Sequence, residues 1–159
     1  TEFEINLPAT EELESELPQS ANVASLLGKG EKILVIDDEE QQREVASTML
    51  VSMGYEVVSV SSGEEALEYL RKHRVDLVIL DMIMEPGLSG LMTYEYILKI
   101  FPGQKAIIVS GFSKNEDVDK AQQLGAGKYI KKPFTYHQLG VAVKNILAGQ
   151  EAGGCSTAA

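Results

Sequence analysis

The chain has 159 residues, 44% of them hydrophobic and 24% charged, and a formal net charge of −10. That length and balance fit one ordinary globular domain with a core of its own plus some tail. The acidic surface repels phosphate backbones, which argues against nucleic-acid binding by this chain alone; the single cysteine, Cys155, leaves no disulfide framework and fits a reducing, cytoplasmic compartment; and no apolar run approaches the length of a membrane span, so no direct membrane contact is expected.

Residues 1–8 alternate apolar Phe3, Ile5 and Leu7 with polar neighbours and end at Pro8. This is the pattern of one half-buried strand, the remnant of a preceding domain. Residues 9–30 are rich in Glu and Ser, with Pro18, Gly28 and Gly30, and read as a linker with a helical turn around 11–17. Residues 149–159 read as a flexible Gly/Ala/Ser/Thr tail.

Between these ends, over 31–148, strand and helix patterns alternate. An apolar strand spans 32–36, and Val45, Ala46, Met49, Leu50 and Met53 then follow at helical spacing up to Gly54. A second strand spans 55–60. Ser62 and Glu65 form a capping box ahead of a helix that buries Ala66, Leu67 and Leu70. The third strand spans 76–80, and Leu91, Tyr94, Ile97, Leu98 and Phe101 mark a helix stopped by Pro102 and Gly103. A fourth strand spans 105–109. A Ser113/Glu116 box then opens a helix facing inward through Val118, Ala121 and Leu124. A short fifth strand spans 128–130, and a Thr135/Gln138 box opens the last helix, with Leu139, Val143, Ile146 and Leu147 inward. Five such units predict an α/β, doubly wound fold: a five-stranded parallel sheet of flavodoxin-like order 2-1-3-4-5, with helices on both faces.

The chemistry-bearing residues fall at the ends of these strands. Strand 1 ends in Asp37-Asp38-Glu39-Glu40, strand 3 in Asp81, strand 4 in Ser110-Gly111 and strand 5 in Lys131-Lys132-Pro133. All four ends share one edge of a parallel sheet, the edge where open α/β sheets bind ligands. Three carboxylates there repel one another, and a hard divalent cation such as Mg²⁺ relieves this. Lys132 can neutralise an oxyanion, Ser110 can donate to it, and a carboxylate can act as a nucleophile toward phosphorus. Each residue also has a plainer reading: Asp81 as a turn residue, Asp37 and Asp38 as helix caps, Ser110 as a turn cap, Lys132 as a surface lysine like Lys131, and Tyr129 as core. His73 and His137 read as surface.

In this order and spacing, ILVIDDE, LVILDMIM, IIVSG and YIKKPF resemble the receiver domain of two-component response regulators, the CheY-like form of this fold, over residues 31–148. The resemblance implies that Asp81 is the phosphoacceptor. It implies that Asp37, Asp38, Asp81 and the backbone carbonyl of Ile83 hold Mg²⁺, and that Lys132 contacts the phosphoryl oxygen. Ser110 and Tyr129 become the switch residues, and Lys132-Pro133 a cis peptide. The implied donor is the phosphohistidine of a histidine kinase domain. The implied onward partner is a histidine phosphotransfer protein, and receivers of this kind also pair as homodimers. Residues 1–8 resemble the last strand of a sensor histidine kinase's ATP-binding domain, so the chain reads as the C-terminal receiver of a hybrid histidine kinase. It carries no kinase motif and no kinase activity of its own.

Two departures from the family pattern stand out. Glu85 separates Met84 from Pro86, which makes the loop after the acceptor one residue longer. Ile83 and Phe112 are bulky and apolar where water would approach, which predicts slow self-dephosphorylation. The alternative functions are a Mg²⁺-dependent phosphohydrolase with an aspartyl-phosphate intermediate, and a docking module that is never phosphorylated.

Overall fold

The computed structural model describes residues 24–112 and 115–149. The strand expected at 1–8, the helical turn at 11–17, Ser113 and the tail beyond 149 lie outside these residues.

Five parallel strands form one sheet: β1 (Lys32–Ile36), β2 (Glu56–Val60), β3 (Leu77–Asp81), β4 (Ala106–Ser110) and β5 (Tyr129–Lys131), in the expected order β2-β1-β3-β4-β5. The helices between and after them are α1 (Glu40–Ser52), α2 (Gly63–Lys72), α3 (Gly90–Ile100), α4 (Glu116–Gln123) and α5 (Tyr136–Leu147). Every residue of β3 and β4 is buried. Both faces of these strands must therefore be apolar, and this is why they read as unbroken Val/Ile/Leu runs.

Side chains alternate across the sheet and build two cores. Leu34, Ile36, Val78, Leu80 and Ile108 pack with Ala66 and Leu70 of α2, Tyr94 and Ile97 of α3, and Val118 and Ala121 of α4. Ile33, Val35, Ile79, Ile107 and Val109 pack with Ala46 and Leu50 of α1, and with Leu139, Val143 and Ile146 of α5. Among the described residues no helix is long and apolar enough to cross a membrane.

Several local expectations shift. Val45 is 48% exposed and Leu124 45% exposed, although both were expected to face inward. Helix α1 packs through Ala46, Leu50 and Met53, and one residue's step of about 100° moves Val45 off that stripe. Helix α4 stops at Gln123, so Leu124 is its C-cap rather than a third core position. Its N-cap is Asn115, whose side chain accepts from the Val118 N–H, and not Ser113. The Ser62 box is half formed: Ser62 accepts from the Glu65 N–H, but the Glu65 carboxylate turns to the N–H and hydroxyl of Ser61. The Thr135/Gln138 box is complete.

The end of the expected linker is folded structure. Residues Ala24–Leu26 form a 3₁₀ turn, and Leu26 is only 4% exposed. The Gly28 N–H donates to the Met53 carbonyl at 2.7 Å, the Tyr55 hydroxyl to the Leu26 carbonyl at 3.3 Å, and Lys144 Nζ to the Leu27 carbonyl at 2.7 Å. A Cβ at Gly28 would sit 2.4 Å from the Tyr55 ring, so only glycine lets the strap lie this close. The strap bridges the end of α1 to α5. Leu26→Ala should lower the unfolding free energy by about 2–3 kcal/mol, read as a drop in denaturation midpoint at constant slope. An unchanged midpoint would mean that the strap is not part of the core.

Candidate functional site

Register puts the four strand ends side by side. Ile36 pairs with Leu80, Asp81 with Val109, and Ser110 with Lys131. Asp37 therefore follows β1 where Asp81 closes β3, and Lys132 follows β5 where Ser110 closes β4. The Lys132 N–H donates to the Ser110 carbonyl at 2.8 Å, which fixes the last two ends to each other.

Three of these ends turn by the same local device. Asp37 Oδ1 accepts from the Glu39 N–H at 2.9 Å, Asp81 Oδ1 from the Ile83 N–H at 3.0 Å, and Ser110 Oγ from the Phe112 N–H at 3.3 Å. Each is a side chain bonded to the backbone two residues on, the turn chemistry of Asp and Ser. The plain turn reading of Asp81 and Ser110 therefore holds, whereas Asp37 and Asp38 are not the helix caps expected, since the N-cap of α1 is Glu39 and Asp37 forms a turn instead; these turns leave the remaining side-chain atoms free for more. The second oxygens of Asp37 and Asp81 both reach Lys132 Nζ, at 2.5 and 2.8 Å. Asp37 and Asp81 are 4% and 5% exposed, and the Lys132 side chain 10%, so Lys132 is no surface lysine; Lys131 is exposed.

Burial pushes the Asp81 carboxyl above the usual carboxylate range. The Ile83 N–H and Lys132 pull against that push, and the charge of Asp37 adds to it. Burial works against the Lys132 ammonium, but its bonds to Asp37 and Asp81 outweigh it and hold the ammonium above the ordinary lysine value.

Carboxylate oxygens of Asp37, Asp38 and Asp81 lie within 4.8 Å of one another. Asp38 is the exposed member, and its Oδ2 accepts from the Glu85 N–H at 3.4 Å. Three hard oxygen donors against one ammonium leave the cluster short of positive charge, which is the donor set a small divalent cation prefers. Ser110 is buried beside the cluster. Tyr129 is half-buried, and its hydroxyl donates to the Phe112 carbonyl in the loop after Ser110. Ile83 and Phe112 are 40% and 68% exposed. Glu85, His73 and His137 face solvent.

Other contributors escaped the sequence reading. Arg43 Nη1 donates to the Asp37 carbonyl at 2.7 Å and the Asp38 carbonyl at 3.0 Å. A basic residue in the first turn of the helix after an acidic strand end was the available signal. Glu64 of α2 accepts from the Leu88 N–H at 3.1 Å and tethers the β3–α3 loop; nothing in the sequence marked it. Glu85-Pro86 is cis, as is Lys132-Pro133. Gly90 opens α3 against the backbone of Asp81, where a Cβ would meet the Asp81 carbonyl oxygen at 2.3 Å.

Comparison with known proteins agrees with this fold. The family model for the response regulator receiver domain matches residues 33–144. A probable transcriptional regulator ycf27 of Porphyridium aerugineum is 37% identical over 117 residues, covering 74% of this chain and 48% of that protein. The chain thus spans about half the length of several of the curated regulators it matches. Sporulation initiation phosphotransferase F of Bacillus subtilis (strain 168) is 31% identical, with 74% of this chain and 94% of that protein covered. A CheY-like receiver domain structure from Methanospirillum hungatei JF-1 superposes with a TM-score of 0.72 at 28% identity, covering 76% of this chain and 96% of that one.

The buried, mutually repelling carboxylates oppose folding when no cation is bound. In buffer containing a chelator, Asp81→Asn should raise the thermal midpoint by about 3 °C, the equivalent of roughly 1 kcal/mol in a domain of this size. A lower midpoint would show that the Lys132 pairing outweighs the repulsion.

Proposed function

The chain belongs to the response regulator receiver family, and from that membership we propose that Asp81 is its phosphoacceptor, charged by a phosphohistidine donor in two-component signalling. The observation that carries the reading is the Asp37–Lys132–Asp81 bridge with Asp38 beside it. It gathers a nucleophile, a fixed cation and a cation-binding acid pair at one sheet edge. Asp37, Asp38, Asp81 and the carbonyl of Ile83 would hold Mg²⁺. When bound, the ion supplies positive charge against the phosphoryl oxygens.

The residues divide the work. The Asp81 carboxylate attacks phosphorus; its P–O bond forms as the P–N bond to the donor imidazole breaks. The imidazole nitrogen leaves with the bonding pair and takes a proton from solvent. Lys132, already 2.8 Å from Asp81, faces a transferred phosphoryl oxygen without rearranging its neighbours. Ser110 uses its oxygen to accept from the Phe112 N–H, which leaves its own proton for a phosphoryl oxygen. A shift of Ser110 toward that oxygen pulls on the same loop that the Tyr129 hydroxyl grips at the Phe112 carbonyl, and the two residues move together as a switch.

The donor is a histidine kinase domain, and a histidine phosphotransfer protein is the onward acceptor. A hybrid kinase origin rests on the sequence pattern of residues 1–8. Phosphohistidine made from ATP is a cytoplasmic donor, and the module works there.

Incubation with acetyl phosphate and Mg²⁺ should give a labile single-phosphoryl adduct by intact-mass measurement, absent from Asp81→Asn. Steady turnover of unrelated phosphomonoesters would instead make the chain a hydrolase, and no adduct with any donor would make it a docking module. The apolar, exposed Ile83 and Phe112 should slow water's approach to the adduct. Ile83→Asn or Phe112→Ala should shorten its half-life several-fold, and an unchanged half-life in both would remove that role.

A further inference from the structure

Arg43 lies in the first turn of α1, behind the acidic cluster rather than in it. Its Nη1 reaches two consecutive backbone carbonyls, Asp37 at 2.7 Å and Asp38 at 3.0 Å. The stretch is otherwise tied by the Asp37 N–H, which donates to the Val60 carbonyl at 3.3 Å, by Asp37 Oδ1, which accepts from the Glu39 N–H at 2.9 Å, and by Asp38 Oδ2, which accepts from the Glu85 N–H at 3.4 Å. None of these bonds holds the Asp37 and Asp38 carbonyls, and Glu39, the N-cap of α1, makes no side-chain cap hydrogen bond. The Asp37–Asp38 backbone is therefore held from two sides: its carbonyls face Arg43, and its carboxylates face Asp81 and Lys132.

We propose that Arg43 is a positioning residue for the acidic cluster. By pinning the carbonyls of Asp37 and Asp38 it fixes the backbone from which two of the three carboxylates project, and so sets the affinity for a divalent cation. This rests on the reading above that the cluster binds such an ion. A charged donor shared by two carbonyls is the strong kind of hydrogen bond, and a guanidinium is suited to a fixed geometry where an ammonium is not.

The sign of the effect separates positioning from charge. Arg43 is a cation near an anionic site, so if it acted by charge alone its removal would tighten cation binding. If it acts by position, removal weakens binding. Mn²⁺ is the probe, with free Mn²⁺ followed by electron paramagnetic resonance and the thermal midpoint taken on the same samples. Arg43→Ala and Arg43→Gln should weaken Mn²⁺ binding by about tenfold or more, the loss expected for one charge-assisted hydrogen bond. Arg43→Lys, which keeps the charge and one donor group, should fall between them and the unaltered chain. Equal or tighter binding in Arg43→Ala overturns the proposal. Should that variant fail to fold, unchanged binding in both Arg43→Gln and Arg43→Lys overturns it equally. Absence of saturable Mn²⁺ binding in the unaltered chain overturns the cation reading itself, and this role with it.

Discussion

Lys132 Nζ bridges the carboxylates of Asp37 and Asp81, and the whole C-terminal edge of the sheet is arranged around that bridge. Two buried carboxylates a few ångströms apart are tolerable only with a cation between them, and one ammonium cannot balance three acids. Buried ion pairs of this kind are weak contributors to stability, since desolvation offsets most of the attraction. The cluster therefore exists at the expense of the fold, and its deficit of positive charge is its chemistry. On the function proposed above, a cation and an incoming phosphoryl group would find a site that is already polarised.

The scaffold that tolerates this is almost wholly apolar. β3 and β4 contain no exposed position, so their register cannot slip without burying polar groups or exposing the core. That rigidity is passed to the reactive atoms by one repeated motif. Asp37, Asp81 and Ser110 each spend one side-chain oxygen on the amide two residues ahead. For the two acids the other oxygen is thereby aimed at Lys132. For the serine the hydroxyl proton is left over. Turn formation and site formation are the same set of bonds, which is why the plain and the functional readings of these residues do not compete.

What could be read from the sequence follows the same division. Unbroken apolar runs ending in Asp or Ser mark buried parallel strands, so the sheet order and the residues at its edge were legible. Positions whose fate depends on helix rotation or length were not. Val45 and Leu124 are as hydrophobic as their buried neighbours, and only the packed stripe of α1 and the early stop of α4 put them in solvent. Asn115 displaced Ser113 as a cap because both residue types cap well and the choice depends on where α4 begins. The strap at 24–30 looked like linker because Gly28, which allows it to lie against Tyr55, is also the residue type that linkers are made of. Arg43 acts on backbone carbonyls, so its position in the first turn after an acidic strand end was the one signal of it, and a weak one.

The β3–α3 loop completes a pattern that the residue types alone do not show. Its Glu85 N–H reaches Asp38 Oδ2, so each of the three acids accepts a backbone amide of its own chain: Asp37 from Glu39, Asp81 from Ile83 and Asp38 from Glu85. An amide gives a carboxylate a fraction of a positive charge without occupying the space a metal needs. The Glu85 bond is the longest of the three at 3.4 Å and belongs to the most exposed acid, so it is the one most readily exchanged. Glu64 holds the far side of the loop at Leu88, so exchange at Asp38 need not release the loop from α2. Glu85 therefore meets the cluster through its backbone N–H, while its side chain faces solvent.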